Sequence, residues 1–177
     1  PRVSDVNAVT SDILPTICDI VNQPLPNRPL DGISLKTLID GKMKNRPSPI
    51  CFWNFDAGRE GRKGAQPYIE PALQEGTTPL VKKMAGRLTR SFVNYHHPEI
   101  HELDFEGPRA ILDNRYKLLV IDRAGRGPSK QLFDLRADPA EQTNLIDAAP
   151  QVAQRLELQL RQWQESVLAS LTGADYR

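Results

Sequence analysis

The chain's three histidines all fall within six residues, at His96, His97 and His101. His97-Pro98-Glu99-Ile100-His101 puts two imidazoles at i and i+4, a spacing that can present two metal ligands on one helical face. Two details count against that use. The glutamate sits one position later than in His-Glu-x-x-His, and Pro98 interrupts any helix through the segment. Adjacent His96 and His97 in a loop are better suited to hydrogen-bonding an anionic oxygen or a hydroxyl. Upstream, Lys82, Lys83, Arg87 and Arg90 form a basic stretch without acidic neighbours, with Val81, Met84 and Leu88 as an apolar side. Such cations can guide a polyanion, although a solvated helix face is the ordinary reading of a charge run. Gly58-Arg59-Glu60-Gly61-Arg62-Lys63-Gly64 has the composition of a phosphate loop but no Walker Lys-Ser/Thr, and reads as a mobile loop. Cys18 and Cys51 are too far apart for zinc-ligand spacing and make no disulfide framework; Cys18 reads as a small hydrophobe on a helix.

These side chains need a scaffold, and 177 residues are enough for one domain with its own core. Twenty-three Lys and Arg balance 22 Asp and Glu, so no general attraction to nucleic acid or an anionic membrane follows. No apolar run approaches a bilayer span, and no signal peptide or internal repeat is visible.

The scaffold reads as α+β. Ile50-Cys51-Phe52-Trp53-Asn54-Phe55 is β-prone and follows the breaker Arg46-Pro47-Ser48-Pro49. Two further strands, 109–113 and 116–121, flank the turn residues Asp113-Asn114-Arg115. Asp122–Ser129 is expected to break the sheet at Gly125, Gly127 and Pro128, with a last strand over 131–135. Asp138-Pro139-Ala140-Glu141 has the layout of a helix start. Val152, Leu156, Leu160, Trp163, Val167 and Leu171 step by three and four, which predicts a long C-terminal helix capped by Asp147, ended by Gly173 and covering one face of a four-stranded antiparallel sheet. Nearer the start, Ser11–Val21 reads as a short helix capped by Ser11 or Asp12, with Pro15 in its first turn and Asn22 at its end. A Pro-rich turn then leads through Asp31-Gly32-Ile33-Ser34-Leu35 to a second short helix closed by Gly41.

Three pieces in order give a specific signal: Arg109-Ala110…Asp113…Tyr116-Lys117-Leu118, then Leu132-Phe133-Asp134-Leu135, then Asp138-Pro139…Glu141…Asn144-Leu145. Together with Asp12…Pro15-Thr16 and Asp31-Gly32-Ile33-Ser34-Leu35, this order resembles the C-terminal end of the type I sulfatases, the arylsulfatase-like, formylglycine-dependent sulfuric ester hydrolases. The resemblance implies that 1–45 is a remnant of the sulfatase α/β domain and that 46–177 is the C-terminal subdomain of an alkaline-phosphatase-like α/β fold, with an insertion at 56–107. It also implies that loops of the small sheet form part of the substrate-pocket wall, with Asn54 and Arg109 facing it and His96 and His97 beside them. An arginine can grip an anionic group in a bidentate fashion. The ordinary alternative for Arg109 is a sheet-edge pair with Glu106 or Asp104.

The family's nucleophile arises from the Cys or Ser of C/S-x-P/A-x-R, and no cysteine or serine here opens that pattern. The parent is expected to use Ca2+ and a formylglycine residue; this chain is expected to contribute neither, to have no catalytic residue or metal ligand of its own, and to be inactive alone. Family resemblance also implies a parent exported to the periplasm or medium, a sulfate-ester substrate such as a sulfated glycan, and a missing N-terminal catalytic domain as partner. An apolar face left uncovered near residues 13–35 is expected, through which the piece self-associates. Two other readings stay open: the end of a related phosphodiester or phosphonate hydrolase, and a non-catalytic sulfated-glycan-binding module using Lys82, Lys83, Arg87 and Arg90.

Overall fold

Four strands form one antiparallel meander in the order β1 (Ile50–Trp53), β2 (Arg109–Asp113), β3 (Tyr116–Arg123), β4 (Arg126–Asp134). The computed structural model describes residues 3–55, 99–123 and 126–174. Alternation along each strand sends every second side chain to one face. The register lines up Cys51, Ile111, Leu118 and Leu132 across all four strands. Ile111, Leu118 and Leu132 are completely buried. The helix α3 (Pro150–Leu171) covers this row with Ala153, Leu156 and Leu160. The α+β layer pair expected from the strand and helix periodicities is therefore present.

Several boundaries differ from the sequence expectation. Gly127 and Pro128 do not break the sheet: β4 begins at Arg126 and pairs with β3 through a register shift between Ile121 and Arg123. A proline is tolerated because β4 is an edge strand, where one side of the backbone has no ladder partner. Helix α3 starts at Pro150 rather than at Asp147, with Pro150 in its first turn, where the lost N–H costs little. Its inward seam is also rotated. Gln164 and Leu168 are buried, while Trp163 and Val167 are only half-buried. Gln164 tolerates this because its amide donates to Phe105 O at 3.0 Å.

Asp138–Glu141 does not start a helix. Asp138 Oδ2 accepts from Thr143 N at 2.7 Å, and Glu141 adopts φ 56° while its carboxylate meets Lys117 Nζ at 2.7 Å. Asn144 Oδ1 accepts from Leu132 N at 2.9 Å, and Leu145 N donates to Leu132 O at 2.7 Å. The D-P-x-E-x-x-N-L segment thus satisfies the open backbone of the edge strand, which blunts it against further strand pairing.

The N-terminal arm carries α1 (Ile13–Ile20) and α2 (Lys36–Ile39). Asn22 at φ 57° ends α1, and Gly41 at φ 77° follows α2. Asp12 stands at the head of α1, but its carboxylate does not cap that helix. It accepts instead from Val9 N and Ile33 N, both at 2.9 Å, and from Arg46 Nη1 and Nη2 at 2.7 and 2.8 Å. Both side chains of this pair are fully buried. Burial pushes the Asp12 carboxyl up, but Arg46 and the Ile33 and Val9 amides outweigh it and hold the pKa below the usual carboxylate range. Thr16 Oγ1 accepts from Leu35 N at 2.9 Å and donates to Asp12 O at 2.6 Å. A Cβ at Gly32 would lie 2.0 Å from Ser11 O, so only glycine allows this approach. The two N-terminal motifs are therefore halves of one docked unit. Ile13, Leu14, Ile17, Ile20, Val21 and Leu25 remain exposed on it, whereas Ile33 and Leu35 of the turn are half-buried.

Candidate functional site

The end of the sheet where β1 finishes and β2 begins brings Asn54 and Arg109 together. Trp53 is opposite Arg109 in the register, and Asn54 N donates to Pro108 O at 2.8 Å. Between these strands the chain passes through 56–98, so His96 and His97, with Lys82, Lys83, Arg87, Arg90 and the glycine-rich loop, lie outside the described residues. It returns through a short 3-10 turn, Glu102–Phe105, and reaches β2 by way of Gly107 at φ 111°. A Cβ there would meet Asn54 O at 2.5 Å, so glycine is required both for the dihedral and for the close approach to β1.

One carboxylate organises this corner. Asp122 Oδ2 accepts from Gly107 N and from Arg109 Nη1, both at 2.7 Å, and Arg109 Nη1 also donates to Gly107 O at 2.9 Å. Sequence proximity pointed to Glu106 or Asp104 as the partner of Arg109. The register decides otherwise: Arg109 pairs with Val120, and Asp122 lies two residues further along β3, on the same face. Trp53 Nε1 donates to Glu106 O at 2.9 Å, which ties the loop to β1. Arg161 from α3 lies 3.2 Å above the Phe105 ring centroid and pairs with Glu102 at 3.0 Å. Arg109, Arg161 and Gln164 border a cavity of about 470 Å³ between the sheet and α3. Fixed guanidinium and amide groups around a cavity can orient an anionic or hydroxylated ligand. They supply no nucleophile.

His101 is exposed; its Nε2 lies 3.9 Å from Glu99 Oε2, and its backbone N donates to Asp104 Oδ2 at 2.8 Å. Among the described residues no group of three or more His, Cys, Asp or Glu side chains is arranged to hold a metal ion. The Cys51 thiol, pushed up to about 12 by burial and then by the Asp31 charge, is a poor nucleophile. Asp122 and Arg161 are the participants that sequence reading missed. Neither carries a local signal, because each acquires its role only through register or helix packing.

No protein-family model and no curated protein matches the sequence. Solved structures do. One is BT4656, solved in complex with its substrate D-glucosamine-2-N,6-O-disulfate, at 16% identity and a TM-score of 0.47, over 88% of this chain and 23% of that one. A second is a protein assigned as a sulfatase in Bacteroides thetaiotaomicron, at 20% identity and a TM-score of 0.47, over 94% and 25%. The solved neighbours of this chain include a further protein assigned as a sulfatase, from Bacteroides fragilis, at 24% identity and a TM-score of 0.34, over 41% and 16%. They also include the phosphonate monoester hydrolase of Agrobacterium radiobacter, at 24% identity and a TM-score of 0.40, over 86% and 24%. The chain spans about a quarter or less of the length of each of these structures. A functional reading therefore rests on the chain's own residues.

Proposed function

We propose that this chain is the C-terminal portion of a formylglycine-dependent sulfatase, serving as structural support and as part of the substrate-pocket wall. The observation that carries the reading is the way the motif residues cooperate. Arg109, Asp134, Glu141 and Asn144 each hold one strand, turn or edge of the same meander, and the DGISL turn docks on Asp12 and Thr16. Residues that resemble a family motif, in order, with mutually dependent structural roles are harder to obtain by chance than any one of them alone.

In the parent, a formylglycine nucleophile and Ca2+ acting as a Lewis acid would supply the attack on sulfur and the polarisation of the sulfate oxygens. The described residues of this chain do not fit as ligands for that metal. Their part is positioning. Arg109, fixed by Asp122, would present a planar donor to a sulfate or hydroxyl, with Asn54 and the adjacent His96 and His97 as further hydrogen-bonding groups. A sulfated sugar is the substrate class that suits such a wall, and export of the parent follows from the same reading.

The decisive experiment is to sequence the reading frame upstream of Pro1. A Cys/Ser-x-Pro/Ala-x-Arg motif preceded by an Asp-Asp pair is expected; a start codon close by with no such motif would overturn the proposal. The purified 177-residue chain is expected not to turn over a chromogenic aryl sulfate.

A further inference from the structure

A second cavity lies away from the Arg109 corner, between the N-terminal arm, β1 and the outer side of α3. It measures about 400 Å³. Its wall includes Trp163, Asp31, Gln159, Gln162, Ser11 and Ser166. Trp163 Nε1 donates to Asp31 Oδ1 at 2.8 Å, so the helix and the arm fix each other at the cavity wall. The Trp163 ring is also held edge-on to Trp53, with centroids 6.3 Å apart and planes at 63°. The indole is thus immobilised from two directions while remaining only half-buried.

The chemistry of this wall is selective. A fixed indole offers an apolar, electron-rich surface suited to the C–H face of a pyranose ring. Carboxylate, amide and hydroxyl groups around it provide acceptors and donors for vicinal hydroxyls. No Lys, Arg or His is among the described residues lining the cavity, and Asp31 contributes a negative charge. A sulfate group here would face a carboxylate with no cation to offset it, which is unfavourable in a partly desolvated cleft. Cys51 on the same wall is kept as a thiol and adds only apolar surface.

We infer that the cavity lined by Trp163, Asp31, Gln159 and Gln162 is a binding site for a neutral, unsulfated saccharide unit. The inference is independent of the hydrolase reading, because it uses none of the residues of the Arg109 corner. A site of this kind binds one sugar residue through a ring stack and a few hydrogen bonds, in roughly the millimolar range.

The test follows the two indole N–H resonances of the full 177-residue chain by NMR, with Trp163→Phe used to assign them. Maltose, cellobiose and N,N′-diacetylchitobiose are the neutral probes, and N-acetylglucosamine 6-sulfate is the anionic comparator. At least one neutral disaccharide is expected to shift the Trp163 resonance saturably and to leave that of Trp53 less affected. Asp31→Ala and Gln162→Ala, both exposed positions, should each weaken binding about fivefold or more while the circular dichroism spectrum is unchanged. Absence of a shift with all three neutral sugars would overturn the inference. So would binding that neither variant weakens, or a sulfated sugar that binds as tightly as the neutral ones.

Discussion

Replacing Arg46 by methionine keeps most of the side-chain volume but removes the partner of a carboxylate that has no access to water. The Asp12–Arg46 pair is bidentate, with side-chain exposures of 0% and 1%. Removing one member of such a pair costs about 3–5 kcal/mol, because the remaining charge stays buried and uncompensated. The bonds between the Arg46 main chain and the Asn114 side-chain amide, at 2.7 and 2.9 Å, survive the substitution. The damage should therefore concentrate where Asp12 organises its neighbours, in α1 and the turn that presents Ile33. Since each 1.4 kcal/mol is a factor of ten, exchange of the Ile33 and Val9 amides should accelerate by roughly two to three and a half orders of magnitude. Native-state hydrogen exchange by NMR reads this directly, with the Leu118 and Leu132 amides of the central sheet as internal controls. Adding Asp12→Asn removes the orphaned charge, so the double variant should be more stable than Arg46→Met alone. The pH dependence has a definite sign. A depressed folded pKa gives stability that is present above the unfolded carboxylate pKa and is lost as pH falls through the folded one. The gap between wild type and Arg46→Met should accordingly narrow as pH drops below about 4. A cost under about 1 kcal/mol, the value of an exposed pair, would refute this reasoning. Strict additivity of the two substitutions would refute it as well.

Other expectations concern single groups. Asp134 has its pKa lowered to about 2 by Arg115, helped by the Ala137 and Arg136 amides; in Arg115→Ala its carboxyl should titrate closer to 3.8, which carbonyl-detected NMR would show, and an unchanged midpoint would contradict the assigned cause. Moving the Cys51 thiol from 9.0 to about 12 lowers its thiolate fraction near pH 8 about a thousandfold, so iodoacetamide followed by mass spectrometry should label Cys51 appreciably only in urea. Gly107→Ala forces a Cβ to 2.5 Å from Asn54 O at a left-handed φ, and should cost at least about 1–3 kcal/mol in urea unfolding, where a neutral result would mean that this corner is not rigid. The exposed apolar residues of α1 and Leu25 should drive reversible self-association, visible as a concentration-dependent mass in light scattering and abolished by Ile17→Lys; a mass constant across concentrations would contradict it.

Local pattern was enough to identify the strands, the long helix and the turn at Asn114, because each depends on periodicity and on residues that favour or break a conformation within a few positions. It misjudged Asp138–Glu141, where a capping pattern is used to cover an edge strand, and Asp122–Ser129, where edge position makes Pro128 acceptable. The Arg109 corner was half legible. Asn54 and Arg109 could be named from motif order, yet the residue that fixes Arg109 lies across the sheet on β3, and only strand register brings Asp122 within 2.7 Å. The same holds for Arg46 and Asp12, which are 34 positions apart. Neither residue type signals burial, since charged side chains enter a core only when a partner arrives with matching geometry. Trp163 and Asp31, 132 positions apart, meet because α3 folds back over the arm. Outside Asp138–Glu141 and Asp122–Ser129, sequence alone determined which stretches are strand, turn and helix, through backbone preferences and hydrophobic periodicity. Tertiary structure decided which charges pair, which polar groups are buried and where the clefts lie, because those depend on distances between residues that the chain itself keeps far apart.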